Sequence, residues 1–232
     1  MIDFHIYGVK TRRRFVDEVS SALSILDQNI HYDDRQKGGP ILYTARKAWF
    51  ADIPERVTHR IVFQDDIEVC DNFKGIVTQI EKTHPKDIIG FFPFEFRERI
   101  PQIEGQDTPY FLASPLSACG IMMPIEYIQP CFDYISGHFG ETVDDDYAIQ
   151  KWAQYAGIRV LTTIPALIQH IGDESVANKG AGIRRTVYYQ KNPQANWSSK
   201  KILHWREFEW FFSNHGRRRP DKGVLEIVCD ED

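Results

Sequence analysis

The 232-residue chain contains no run of about 18 consecutive apolar residues, which excludes a membrane-spanning helix. Its four cysteines, Cys70, Cys119, Cys131 and Cys229, stand without CxxC spacing, so neither a zinc knuckle nor a disulfide framework is suggested. GxxxxGK(S/T) and GxGxxG are both absent, which disfavours P-loop and Rossmann dinucleotide sites. There is no internal repeat or low-complexity tract. The opening MIDFHIYGVKTRRR sets its apolar stretch before the basic cluster, the reverse of a secretory signal, so a cytoplasmic protein is expected.

What is present is an ordinary globular composition, 42% hydrophobic and 26% charged, with room for one large domain or two small ones. The net charge of −5 is a sum of unlike parts. Residues 1–178 carry 17 basic and 26 acidic side chains, residues 179–222 carry 11 and 3, and the last ten residues add four acids. The basic block is interleaved with Trp197, Trp205 and Trp210. It is either a phosphate-facing surface or a solvated, partly helical C-terminal region.

The alternating IDFHIYGV reads as a first strand. With Thr11 as N-cap, Phe15, Val19, Ala22, Leu23 and Leu26 then share one helical face. A polar loop follows, and a short helix starts at Pro40 and runs through Lys47 and Trp49. Ile61, Val62 and Phe63 form a buried parallel strand that ends abruptly in Gln64, Asp65 and Asp66. Asn72 or Asp71 caps the next helix, and residues 87–92 form the next strand, giving β-α-β-α-β through residue 92. Residues 93–117 look like a long connection or a hairpin insertion, and 119–124 like a strand. Residues 127–136 form a helix interrupted near Pro130. A helix follows Asp144–Asp146 and is closed by Gly157, 158–163 is a strand, and 165–175 is a strand or turn.

Two adjacent carboxylates at a strand end repel each other unless a cation compensates them, and hard oxygen ligands suit Mn²⁺ or Mg²⁺. The other reading is a pair of acids capping the helix near Asp71. His170, at a bend before Gly172, is either a nitrogen ligand to the same ion or a satisfied structural residue. Asp144, Asp145 and Asp146 exceed what a helix cap needs. One of them, beside an apolar face, would have a raised pKa and serve as a general base.

Together VFQDD, GHFGETVDDDYAIQKWA and IPALIQHIGDES resemble the glycosyltransferases of the GT-A fold over roughly residues 1–175. The resemblance implies an α/β fold with a Rossmann-like, mixed but mainly parallel sheet flanked by helices. The catalytic domain would span residues 1–178, and residues 179–232 would be an irregular or helical basic extension packed on it. It implies a nucleotide-sugar donor, a UDP-sugar first, and Mn²⁺ or Mg²⁺. Carried over, Tyr7 and Gly8 would line the nucleoside, Arg12, Arg13 and Arg14 would approach the diphosphate, and Asp34 and Lys47 would contact base or ribose. Asp66 would be the principal metal ligand, with Asp65 beside it and His170 completing the site. Asp145 would be the acceptor-side base, with Asp144 and Asp146 as alternatives, and the reaction would invert the anomeric carbon. Gln64 stands where the family usually has an acid; it can bond a ribose hydroxyl but shares no charge with a metal.

For the acceptor, Arg184, Arg185, Lys200, Lys201, Arg217, Arg218 and Arg219 point to a polyanion, with a hydroxylated base in DNA as one expectation. A surface-glycan or lipid-linked acceptor is the rival, and Arg184 and Arg185 are alternatively part of the diphosphate site. A metal-dependent nucleotidyl- or phosphotransferase or nuclease, or a non-catalytic nucleic-acid-binding protein, are the competing classes.

Overall fold

Ile6 and Tyr7, like Ile61 and Val62, are consecutive residues buried on opposite sides of one sheet. Strands apolar on both faces demand helices on both faces, and that requirement sets the architecture. The computed structural model describes residues 1–35, 41–93, 108–112, 116–140, 143–172, 185–186, 188–205 and 225–229. Along the chain these form β1 (Ile2–Gly8), α1 (Arg13–Leu23), β2 (Ile30–Tyr32), α2 (Ile41–Trp49), β3 (His59–Gln64), β4 (Ile67–Val69) and α3 (Phe73–Thr83). There follow β5 (Ile88–Gly90), β6 (Tyr110–Leu112), β7 (Gly120–Pro124), α4 (Ile125–His138), α5 (Asp145–Ala156), β8 (Val160–Thr163), β9 (Ile168–His170), β10 (Lys201–Trp205) and β11 (Leu225–Cys229).

The main sheet has nine strands in the order β11-β10-β6-β8-β5-β7-β3-β1-β2, and β4 and β9 form a separate antiparallel pair. β1 is parallel to both β2 and β3, while β7 runs antiparallel to β3 and β5. Following the pairings across the sheet, β1, β2, β3, β5, β8 and β11 point one way and β6, β7 and β10 the other. The sheet is mixed and mainly parallel, a Rossmann-like α/β arrangement. Val16, Val19 and Leu23 of α1 and Phe73, Ile76, Val77 and Ile80 of α3 cover one face. Leu42, Ala45, Ala48 and Trp49 of α2, with α4 and α5, cover the other.

Several local expectations are corrected. The first helix does not begin at a Thr11 cap. A 3-10 turn over Lys10–Arg12 intervenes, Arg12 is the N-cap, and Leu26 is 62% exposed. Asn72 does cap α3, as expected, with left-handed backbone (φ 55°) and no side-chain bond. α4 runs from Ile125 to His138 through Pro130 without interruption. In the C-terminal region, where irregular or helical structure was expected, β10 and β11 are strands added to the sheet edge. His84 contacts the Ser199 carbonyl at 3.2 Å, and the Tyr110 hydroxyl donates to the Trp197 carbonyl, tying the segment before β10 to the body. The three-residue strand β4 directly after the acids was not expected. Its Ile67 and Val69 are buried with Ile168 of β9 in the same core as α1 and α3, which stabilises so short a pairing.

Candidate functional site

From β1 the chain passes to β2 on one side and then crosses to β3 on the other, so the carboxyl ends of β1 and β3 bound a topological switch point. Tyr7 and Gly8 end β1, and in the register Tyr7 faces Gln64 at the end of β3. The acids follow directly. The Asp65 carboxylate folds back over β1 and accepts the Val9 N–H at 2.7 Å. Only glycine at position 8 permits this, because a Cβ there would lie 2.2 Å from the Asp65 side chain.

Asp66 is held from both sides. Its backbone oxygen accepts the Ile171 N–H at 2.9 Å, and its Oδ2 lies 3.0 Å from His170 Nε2. The pairing of β4 with β9, Ile67 opposite His170, is what brings this histidine across the molecule. Gly172 allows the approach, since a Cβ there would meet Asp66 Oδ2 at 2.2 Å. Arg12 completes the cluster, its Nη1 3.3 Å from Asp65 Oδ1 and 2.5 Å from Asp66 Oδ2.

The two carboxylates diverge in acidity. Burial, with the neighbouring charge of Asp66, pushes Asp65 up to about 6 against the Val9 and Arg12 bonds. Burial also works against ionised Asp66, but the His170 contact and the charges of His170 and Arg12 outweigh it and hold the group below its ordinary value. Among the described residues no three His, Cys, Asp or Glu side chains are arranged to hold a metal ion. Asp66 and His170 nevertheless offer an oxygen and a nitrogen donor side by side, and the buried His170 Nδ1 has no hydrogen-bond partner. That donor chemistry fits Mn²⁺, with other positions left to phosphate oxygens and water.

Asp145, first residue of α5, is 2% exposed and sits against the end of β1, where it accepts the Tyr7 hydroxyl at 3.0 Å. Its Oδ1 is buried with no hydrogen-bond partner. Burial, then the charge of Asp146, raises the Asp145 carboxyl to about 7, against the lowering effect of the Tyr7 bond. Asp144 is the exposed N-cap; Asp146 accepts the Ala118 N–H at 3.1 Å and the Tyr147 N–H at 2.7 Å. Asp146 is thus occupied with the helix start and the turn before β7, while Asp144 caps the helix without a side-chain bond.

The structure therefore brings Tyr7, Gly8, Arg12, Gln64, Asp65, Asp66, Asp145 and His170 to one edge. Arg13 and Arg14 point outward from α1, 77% and 86% exposed, beside Asp17 and Glu18. Asp34 and Lys47 form an exposed pair at 2.8 Å beyond β2. Arg185, Lys200 and Lys201 are exposed. Arg184, Arg217, Arg218 and Arg219 lie outside the described residues.

One polar chain had no sequence signal. Fully buried Arg60 donates to Asp3 at 2.8 Å and to the carbonyls of Ala48, Trp49, Ala51 and Asp52. Asp3 bonds His5, and His5 meets His31 at 3.0 Å with the rings stacked. Burial and the neighbouring His5 lower His31 to about 4. Alternation alone marks Asp3, His5 and Tyr7 as one face of β1, but only the parallel register places His31 beside Tyr7.

A Rossmann-like α/β sheet with its polar cluster at the switch point is the class that fold and site define. No family model and no curated protein sequence matches the chain. Among solved structures it is similar to a glycosyltransferase involved in the glycosylation of the major capsid of PBCV-1, with 10% identity over 69% of this chain and 80% of that one, at TM-score 0.38. It is also similar to mannose-1-phosphate geranyltransferase from Thermus thermophilus, with 8% identity over 97% of this chain and 94% of that one, again at TM-score 0.38.

Proposed function

We propose that the chain transfers a sugar from a nucleoside-diphosphate sugar, a UDP-sugar first, to an acceptor hydroxyl, inverting the anomeric carbon, with Asp145 as general base. One observation carries this reading: a buried carboxyl group near pKa 7, with one oxygen unpartnered, sits at the same sheet edge as the paired acids. A group so tuned is ionised for half its population near neutral pH and still basic enough to take a proton.

The acceptor oxygen attacks the anomeric carbon as its proton passes to Asp145. The bond from that carbon to the diphosphate oxygen breaks, and its electron pair stays on the diphosphate. Tyr7 holds the carboxylate in place through Oδ2 and leaves Oδ1 for the proton. A divalent cation on Asp66 and His170 would stabilise the negative charge of the leaving diphosphate. Asp65, which follows β3, accepts the Val9 N–H and so ties the end of β1 to the end of β3.

On the acceptor side, exposed Arg185, Lys200 and Lys201 support a polyanion such as DNA bearing a hydroxylated base. Retention on duplex DNA that weakens steeply with salt is expected, and no retention at low salt removes DNA from the reading. The transfer itself is tested by calorimetry with several nucleotide sugars and Mn²⁺, followed by product analysis with Asp66→Asn. Wild-type turnover by that variant would overturn the metal assignment, and the absence of any nucleotide-sugar binding would overturn the transferase reading.

A further inference from the structure

Gln64 ends β3 directly before the paired acids and lies beside Tyr7 in the parallel register. Its Oε1 is 3.9 Å from Cys119 Sγ, with the thiol donating, so the oxygen end of the amide is committed to the chain before β7. The nitrogen end is left for another partner. That partner is the Tyr7 hydroxyl, with which Gln64 makes a side-chain hydrogen bond. Burial, then the charge of Asp145, raises the Tyr7 phenol well above its ordinary value, and the Gln64 bond works the other way. A bond that favours the phenolate is one in which the amide N–H donates to the phenolic oxygen.

The Tyr7 proton is then committed to one place. While its oxygen accepts from Gln64, its O–H donates to Asp145 Oδ2 at 3.0 Å, and Oδ1 stays unpartnered. Each bond in such a series polarises the next. Beyond burial, which acts most strongly on Asp145, Asp146 and Asp144 raise its pKa and Tyr7 lowers it. The residues that α2 and α4 bury on this face bring no carboxylate or cation, and β7 is apolar. A carboxylate at position 64 would have no N–H to give. It would compete with Asp145 for the Tyr7 proton and add a like charge to this edge.

Resting on the transferase reading above, we propose that Gln64 is a positioning residue for the general base: its amide N–H holds the Tyr7 hydroxyl so that the one proton goes to Asp145 Oδ2, leaving Oδ1 for the acceptor. A neutral amide stands where the family usually has an acid because this position serves the base and not the metal.

Carbon-13 labelling of aspartate follows the Asp145 carboxyl by NMR through a pH titration of the full chain, with Asp145→Asn to assign it and no donor or acceptor needed. Gln64→Met, which keeps the length but has no N–H, should move the titration alkaline by about half a pH unit, and Gln64→Glu by at least about one. In Tyr7→Phe protein the methionine substitution should have no effect, since its path runs through the hydroxyl. In turnover assays the rising limb of kcat should move with the titration, and Gln64→Met should leave the donor KM within about twofold. An Asp145 titration unmoved by both variants, with circular dichroism showing them folded, overturns the proposal. So does a methionine effect equally large in Tyr7→Phe protein. A donor KM raised by Gln64→Met with the pH limb unmoved also overturns it and returns Gln64 to the ribose. Wild type alone decides if the variants do not fold: no nuclear Overhauser contact between the Gln64 amide protons and the Tyr7 ring overturns the proposal. Titrations that move as expected in a protein that transfers no sugar uphold the Gln64–Tyr7–Asp145 series and remove only the transferase reading.

Discussion

The Tyr7 hydroxyl donates to the Asp145 carboxylate at 3.0 Å, joining the end of the first strand to the start of the last described helix across 138 residues of sequence. The bond stabilises the ionised form of a carboxyl group that burial and the charge of Asp146 disfavour.

Asp145→Asn keeps the Tyr7 bond, because the amide oxygen still accepts it, but removes the base. Turnover should fall by roughly 10²–10⁴-fold with donor binding unchanged. Loss of donor affinity, read by calorimetry, would move Asp145 to the donor side.

The same substitution should stabilise the protein at alkaline pH. The carboxyl rises from 3.8 to about 7 on folding, so between these values the folded state holds a proton that the unfolded state has lost. Stability from this group is complete below the unfolded value and declines as pH rises toward the folded one. At pH 8 Asp145→Asn should gain on the order of 2 kcal/mol, seen as a higher Tm; an equal gain at pH 4 would contradict the burial of a charged Asp145 as its cause.

Turnover should rise with pH to a plateau above about 7, since only ionised Asp145 accepts the proton. Tyr7→Phe removes a bond that lowers the Asp145 pKa, so the rising limb should shift alkaline by about one pH unit. A profile unmoved by Tyr7→Phe would mean that another group controls it.

Gly8→Ala places a Cβ 2.2 Å from the Asp65 side chain, which must then lift off Val9. A loss of about 1–3 kcal/mol in denaturant unfolding is expected, with donor affinity reduced as well. An alanine variant of wild-type stability and affinity would show that the close packing of Asp65 on β1 is dispensable.

Much of this site is legible in the residues themselves. The apolar run 61–63 ending in Gln64, Asp65 and Asp66 announces acids at a strand end, because a strand buried on both faces tolerates carboxylates only where it leaves the sheet. The helix after Asp144–Asp146, with Gly157 in left-handed backbone at its end, is equally plain from local spacing and capping. The 3-10 turn ending at Arg12 and the unbroken helix through Pro130 were not legible, since Thr11 offers a local cap signal and proline a local break signal that the folded chain does not follow.

What sequence alone determined is therefore the local chemistry: which strands are buried on both faces, where acids end them, and which glycines and acids punctuate helices. Those depend on residues a few positions apart. Tertiary structure alone decided which groups meet: Asp145 rather than its neighbours under Tyr7, His170 carried to Asp66 by the pairing of β4 with β9, and Arg12 rather than Arg13 or Arg14 on the two carboxylates. Burial shifts acidity and charge pairing acts over a few ångströms, and distances of that size between residues far apart in sequence are set by strand register and crossover, not by composition.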